Sequence, residues 1–293
     1  MKGKKRIMMV VNPISGDIDK ADFTAAAEAR AALEGFDFIL YETTGNNDKE
    51  QIKLLYEEQQ PEKVLVAGGD GTIKLVAESL EEHDVILGIL PAGSANGLSV
   101  DLNLPPALED NLEIAFNDNH TELDMICING HRSLHLSDIG LNAELIRNYE
   151  NSSIRGKLGY AIQSVTTLAD AKVPFRAVIK TENASLETEA TMIVIANSQK
   201  YGTGVTINPV GVMDDGKFEI VILRNLDLLV FGKIIIGNMP LDSDDIEIIS
   251  CETATITTNV EVHFQVDGEY IGEVTELDIR ILPRQMKVAV PDA

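Results

Sequence analysis

Residues Gly68-Gly69-Asp70-Gly71-Thr72 have the types and spacing to hold a phosphate. The apolar run 64–67 before them reads as a buried strand, and Ile73, Val76, Ala77 and Leu80 after them fall on one face of a helix. Strand, glycine turn and helix make an anion-binding geometry. The glycines admit positive φ and close backbone approach, and the helix presents free N–H groups and a partial positive charge. A carboxylate there would repel phosphate unless a divalent cation, or water ordered by Asp70 around one, stands between them. That chemistry points to a nucleotide phosphate with Mg2+. The same five residues also suit a plain βα turn with Asp70 capping the helix, so the surrounding elements must decide.

Those elements alternate over roughly the first 125 residues. Strands are predicted at 6–11, 36–41, 64–67 and 85–90, and helices at 21–33, 49–58 and from Ile73 onward. Alternation of this kind predicts a parallel sheet with helices on both faces, whose ligands bind outside the carboxyl ends of the strands. The turns at 12–16, 68–72 and 91–96 all lie at such ends. A plain turn does not predict that convergence. Beyond residue 125 the signal is mostly β, at 175–180, 191–196, 218–223, 253–258 and 277–282. Val260, Val262, Phe264 and Val266 alternate with Glu261, His263 and Gln265, a period of two with one face buried. Asp267-Gly268 then signals a hairpin turn. Helices are sparse here, at 143–149, 156–169 and 227–236. The predicted fold is an α/β domain over 1–125 and an antiparallel β-sandwich over 126–282, with the tail 283–293 a candidate to pack back on the first.

The chain has 293 residues, 44% of them apolar, and 24 basic against 47 acidic side chains for a net charge of −23. That balance argues against nucleic acid as a partner, and against constitutive attraction to anionic membranes. Lys2, Lys4, Lys5 and Arg6 make the start basic, but no apolar core with a cleavage site follows, so no signal peptide is read. Cys127 and Cys251 form no disulfide framework and no zinc spacing, which fits a reducing cytoplasm. The five histidines form no metal-ligand pattern. The apolar stretch 226–237 is broken by Asp227 and Lys233 and is too short to span a bilayer.

Several patterns now line up in one order: Asn12-Pro-Ile-Ser-Gly16, Thr43 in Tyr-Glu-Thr-Thr-Gly, Gly68-Gly-Asp-Gly-Thr72 and Pro91-Ala-Gly-Ser-Ala-Asn96. Then come Asp124, Asp138-Ile-Gly140, Arg155-Gly-Lys-Leu-Gly-Tyr160, Ala196-Asn197 with Tyr201-Gly-Thr-Gly204, Asp215-Gly216 and Asp267-Gly-Glu269. Together they resemble the diacylglycerol kinase catalytic-domain family, which includes bacterial lipid kinases and sphingosine kinases. The resemblance spans essentially the whole chain. It implies a nucleotide-binding α/β domain and a β-sandwich, with the active site in the cleft between them. It also implies ATP and Mg2+, with a lipid hydroxyl as acceptor.

The resemblance assigns roles residue by residue. Asn12, Ser15 and Gly16 would hold nucleotide and phosphate, and Thr43 would supply a hydroxyl, with Thr44 its rival. Gly68, Gly69, Gly71 and Thr72 would cradle the phosphates, with Asp70 serving the metal. Ser94 and Asn96 would add hydroxyl and amide contacts. Many bacterial relatives carry Gly-Thr-x-Asn-Asp here. This chain has Gly93-Ser94-Ala95-Asn96-Gly97, closer to the sphingosine kinases and without the acid. Glu269 would be the general base, projecting past the Asp267-Gly268 turn; an exposed hairpin glutamate is the alternative. Asp124 would support the metal or its waters. Asp215, with the carbonyls of Val212 and Lys217, would bind a structural Mg2+; a simple Asp-Gly turn is the alternative. Lys157 is a candidate for phosphate or headgroup, and Met213, Phe231 and 234–236 for lipid tail or buried core. The expected protein is a cytoplasmic lipid kinase in transient peripheral contact with a membrane, with a homodimer left open. The rivals are a soluble-acceptor kinase of the NAD kinase type and a non-catalytic nucleotide- or lipid-binding relative.

Overall fold

The computed structural model describes residues 5–16, 19–94, 96–144, 174–200, 206–225 and 244–292. It divides into two units, Met1–Leu123 with Arg284–Ala293, and Asp124–Pro283. The predicted segments 145–149, 156–169 and 227–236, Lys157 and the rest of 155–160, 201–204, Ala95 and Phe231 lie outside the described residues.

The first unit alternates β1 (Arg6–Val11), α1 (Ala21–Glu34), β2 (Asp37–Glu42), α2 (Asp48–Gln59), β3 (Lys63–Gly68), α3 (Asp70–Ser79) and β4 (Ile86–Pro91), followed by α4 (Gly97–Asp101) and α5 (Leu108–Phe116). The strands are parallel in the order β2-β1-β3-β4. Lys287 and Val288 extend the sheet, pairing in parallel with Ile86 and Leu87. Ile7, Met9 and Val11 on one side of β1 share a core with Ala27 and Ala31 of α1 and Leu112 and Ala115 of α5. The alanines let helix and sheet approach closely. Gly35 ends α1 at φ 78°, its N–H directed at the Ala31 and Ala32 carbonyls. The buried Lys63 donates to the Phe116 and Asn117 carbonyls, satisfying the end of α5, and pairs with Asp118 at 2.9 Å. Chain order reverses between β1 and β3. In a doubly wound sheet that switch point opens the crevice where ligands bind.

The second unit begins within β5 (His120–Ile128) and continues through β6 (His131–Ser133), β7 (Leu136–Gly140), β8 (Phe175–Thr181), β9 (Ser185–Ala190), β10 (Met192–Ala196), β11 (Phe218–Leu223), β12 (Ile246–Cys251), β13 (Thr253–Val266) and β14 (Glu269–Ala289). The pairings β12-β11-β10-β7-β13-β14 and β13-β8-β9 are antiparallel. Ile193, Ile195, Phe218, Ile220 and Ile222 share one core with Ala177, Ile179, Ile256, Leu277 and Ile279, so two layers face each other as a sandwich. Strands β10 and β11 are buried on both faces, because Val194, Ala196, Val221 and Leu223 join a second cluster. That accounts for their continuous apolar runs.

The period-two reading of 260–266 needs correcting. Segments 253–258 and 260–266 are one strand, β13, whose register with β14 shifts between Thr257 and Val262. Val260 falls in that irregularity and is 50% exposed, whereas Val262, Phe264 and Val266 are buried as expected. His263 and Gln265, expected on the wet face, are buried too. Among the described residues no helix is long and apolar enough to cross a membrane.

Candidate active site

In the first unit, three loops leave the carboxyl ends of β1, β3 and β4 and lock together. Asn12 donates its backbone N–H to the Ala67 carbonyl at 3.1 Å and its amide to the Thr72 hydroxyl at 3.3 Å, tying the first loop to the second. The Ser15 hydroxyl reaches the Ala92 carbonyl at 3.4 Å, tying the first loop to the third. A Cβ on Gly93 would lie 2.4 Å from the Gly69 Cα, and one on Gly16, which has φ 62°, would lie 3.1 Å from the Ala92 carbonyl oxygen. Backbone approach this close requires glycine. Gly71 is exposed, and a Cβ there would meet nothing within 4 Å. The glycines thus divide between loop-to-loop packing and one open face.

Asp70 does not cap its own helix, of which it is the first residue; Gly69 is the N-cap and gives no side-chain cap. Its carboxylate accepts the N–H of Gly97 at 2.8 Å and of Leu98 at 3.1 Å, one on each oxygen. It therefore anchors the start of α4 to the glycine turn. Asn96 closes the third loop on itself, accepting from Gly93 N–H at 2.9 Å and donating to the Gly93 carbonyl at 3.2 Å. Ser94 is exposed.

Thr43 and Thr44 are held in different ways. Asp48, 7% exposed, accepts from the Tyr41 hydroxyl at 2.8 Å, the Thr44 N–H at 2.9 Å and hydroxyl at 3.1 Å, and the Gly45 N–H at 2.7 Å. Burial opposes ionisation of Asp48, but these bonds outweigh it and hold its pKa below the usual carboxylate value. Burial and the Asp48 carboxylate push the Tyr41 phenol up to about 12. Thr44 is committed to this cluster, and Thr43 is held to the end of β1 by its N–H, 2.9 Å from the Val11 carbonyl. Lys20, which sequence reasoning passed over, donates to the Ser15 carbonyl at 2.5 Å from a buried position. Its burial lowers its pKa, against the opposing charge of Asp19. A basic residue just ahead of α1 was the available signal.

In the second unit, Asp124 is 1% exposed and joins the 212–217 turn by two bonds. Its N–H donates to the Met213 carbonyl at 2.8 Å, and its carboxylate accepts the Gly216 N–H at 2.7 Å. The fully buried Asn197 donates to the Asp124 carbonyl at 2.9 Å. Within the turn Asp215 accepts the Lys217 N–H at 3.0 Å, and Val212 is exposed. Asp124 and Asp215, far apart in sequence, thus each accept a backbone N–H of the 212–217 turn. Among the described residues no group of three His, Cys, Asp or Glu side chains could hold a metal. A cation at the 212–217 turn would need carbonyl and water oxygens beside the carboxylate, which suits Mg2+. Asp267 and Gly268 adopt φ 49° and 88°, the turn expected between β13 and β14, and Glu269 follows, exposed.

Comparison with known proteins adds a family to this geometry. Residues 6–128 match the family model for the diacylglycerol kinase catalytic domain, and residues 137–290 the model for the YegS C-terminal NAD kinase beta sandwich-like domain. The "Probable lipid kinase YegS" proteins of Salmonella typhimurium and Salmonella choleraesuis are each 28% identical over 239 residues, 78% of either chain. A diacylglycerol kinase crystal structure from Bacillus anthracis superposes with a TM-score of 0.76 at 18% identity, covering 99% of this chain and 98% of its own. A further structure from that organism gives 0.78 at 20% identity, covering 99% of both. At these identities the structural likeness speaks for the fold.

Proposed function

The chain belongs to the lipid kinase family in which a diacylglycerol kinase catalytic domain precedes a YegS-type β-sandwich, and from that premise we propose that it carries the γ-phosphate of ATP to the hydroxyl of a lipid. The observation that carries this reading is the locking of the 12–16, 68–72 and 91–97 loops at the sheet's switch point, with the open face of Gly71 in the first turn of α3. Phosphoryl transfer asks for positioning and charge neutralisation more than covalent chemistry. Asn12, Ser15 and Asn96 shape the loops that would hold the nucleotide, Thr43 and the exposed Ser94 offer it hydroxyls, and the N–H groups at Gly69–Gly71 supply the phosphate cradle. Asp70 keeps the third loop in place through α4. Glu269 takes the proton from the acceptor hydroxyl as it attacks. Mg2+ would offset phosphate charge when bound, with Asp70 and Asp124 the carboxylates to support it or its waters, and Asp215 the carboxylate for a second, structural cation.

The acceptor is diacylglycerol, sphingosine or a related lipid, met in transient contact at a membrane surface from the cytoplasmic side. A net charge of −23 disfavours standing attachment to anionic lipid. A second reading has one observation in its favour: the sandwich model's own description mentions NAD kinase, which makes a soluble acceptor the competitor. Transfer of label from ATP in Mg2+ buffer, with diacylglycerol or sphingosine in mixed micelles competing against NAD, separates the two. Label in the lipid is the expected result, and label in NAD would replace the reading.

A further inference from the structure

Glu269 opens β14 directly after a two-residue turn, where an exposed hairpin tip ordinarily swings. This tip is braced. The Asp267 carboxylate gathers three donors from one segment: the Ser133 hydroxyl and the His135 N–H, each at 2.9 Å, on one oxygen, and the Leu134 N–H at 3.0 Å on the other. All three residues are buried, at 0%, 6% and 2% exposure for Ser133, His135 and Leu134. The Asp267 N–H also donates to the Leu136 carbonyl at 3.1 Å. From the other side the buried Gln265 accepts the Gly268 N–H at 2.7 Å and donates to Asp138 at 2.5 Å.

A turn with positive φ at both positions needs only residues that tolerate it, and Asn-Gly serves as well as Asp-Gly. Three donors on the Asp267 carboxylate exceed that requirement. The register offers a reason for them. Phe264 pairs with Gly272 but Gln265 pairs with Tyr270, so Ile271 is an extra residue in β14. The tip pairs Gln265–Tyr270 and Val266–Glu269 therefore form a short ladder above an irregularity; β7 also pairs with Phe264, Gln265 and Val266, so it is the β14 side of the tip, with Glu269, whose direction the ladder below does not fix.

We infer that Asp267 is a positioning residue for Glu269: its three-donor anchor on 133–135 sets the direction of the hairpin tip, and so the place from which Glu269 meets the acceptor hydroxyl. This rests on the reading of Glu269 as general base. Misplacement of such a group by about 1 Å costs on the order of 10²-fold in rate.

Asp267→Asn isolates the anchor. Asparagine keeps the positive-φ preference and the side-chain size, but turns one acceptor oxygen into an amide that faces donors. The expected result is kcat lower by about 10- to 100-fold with KM for ATP within about twofold of wild type. Amide exchange at Leu134 and His135 should quicken, a readout independent of activity. Glu269→Gln, alone and combined with Asp267→Asn, completes a double-mutant cycle. A slow Glu269→Gln supports the base reading, and in that background Asp267→Asn should leave the residual rate unchanged, since it acts through a group already removed. Glu269→Gln at the wild-type rate would overturn the base reading and the inference with it. Glu269→Gln slow but Asp267→Asn at wild-type kcat, or the two losses multiplying, would overturn the inference alone. If Asp267→Asn does not fold, Ser133→Ala removes one of the three donors. A fall of about threefold, absent beside Glu269→Gln, is then expected, and an unchanged kcat would overturn the inference.

Discussion

Adding one methyl group at either of two glycines should separate packing from ligand approach. A Cβ on Gly93 would stand 2.4 Å from the Gly69 Cα and 2.8 Å from its nitrogen. Carbon atoms at rest sit roughly 3.5–4.0 Å apart, so the second and third loops would have to part by about 1 Å. The obstacle is backbone, which cannot step aside as a flexible side chain would. Overpacking of this kind costs about 1–3 kcal/mol, and a shift of about 1 Å among groups that position a substrate costs up to about 10²-fold. Gly93→Ala should therefore lower the urea midpoint and weaken ATP binding together. Gly71→Ala should do something different. Its Cβ meets nothing within 4 Å and it lies in the first turn of α3, so stability should hold or rise by up to about 0.5–1 kcal/mol. If the open face of Gly71 is where phosphate approaches the backbone, ATP affinity should still fall about tenfold or more, equivalent to about 1.4 kcal/mol. Urea denaturation and calorimetric ATP titration of both variants make the assay. Wild-type ATP affinity in Gly71→Ala would refute the phosphate cradle, and wild-type behaviour of Gly93→Ala in both assays would refute the locking of the loops.

Other perturbations have equally definite outcomes. Asp70→Ala should abolish measurable transfer and cost about 1–3 kcal/mol, since it strips the Gly97 and Leu98 N–H groups of their acceptor; full activity would remove Asp70 from the account. Asp48→Asn should destabilise the fold by about 2–3 kcal/mol at pH 7 by weakening the Tyr41, Thr44 and Gly45 bonds. Because the folded pKa of Asp48 lies below its ordinary 3.8, its contribution is present above that pH and fades as pH falls through the folded value. The gap between wild type and Asp48→Asn in urea midpoint should accordingly close in acid, and a constant gap would refute the assignment. On the alkaline side, the raised phenol of Tyr41 predicts stability lost between pH 10 and about 12. Burial pushes the Cys251 thiol up to about 12, with Glu182 and Glu219 adding to it, so alkylating reagents at pH 8 should label it only at the rate of unfolding.

The parallel strands of the first unit were legible because each is a short apolar run closed by a glycine or polar turn, as 64–67 before Gly68 shows. Helix α5 was legible in principle, since Leu108, Leu112 and Ala115 form a regular stripe, but the sequence reading assigned nothing there. The sandwich was harder. Strands β10 and β11 carry no alternation because both faces are covered, and β13 bends at an irregularity that no periodicity announces. At the candidate site, the glycine turns could be marked from spacing and the asparagines from the family resemblance, but their division of labour could not. That Gly93 packs on Gly69 and that Asp70 reaches to α4 depend on contacts between residues far apart in the chain, and that Thr44 rather than Thr43 belongs to Asp48 depends on the local path of the loop into α2. The buried anchors Ser133 and Gln265 carried no signal beyond being polar. Burial is what gives such residues their meaning, and burial is set by the fold.

The central claim is transfer of one particular phosphate to one class of acceptor. ATP labelled at the γ-position, and separately at the α-position, incubated with mixed micelles of diacylglycerol, sphingosine, ceramide and phosphatidylglycerol, followed by organic extraction, tests it most directly. The account predicts γ-label but no α-label in an extracted lipid, reduced by about 10²-fold or more in Glu269→Gln. No label in any lipid, with label in NAD supplied alongside or with tight ATP binding and no transfer, would contradict it.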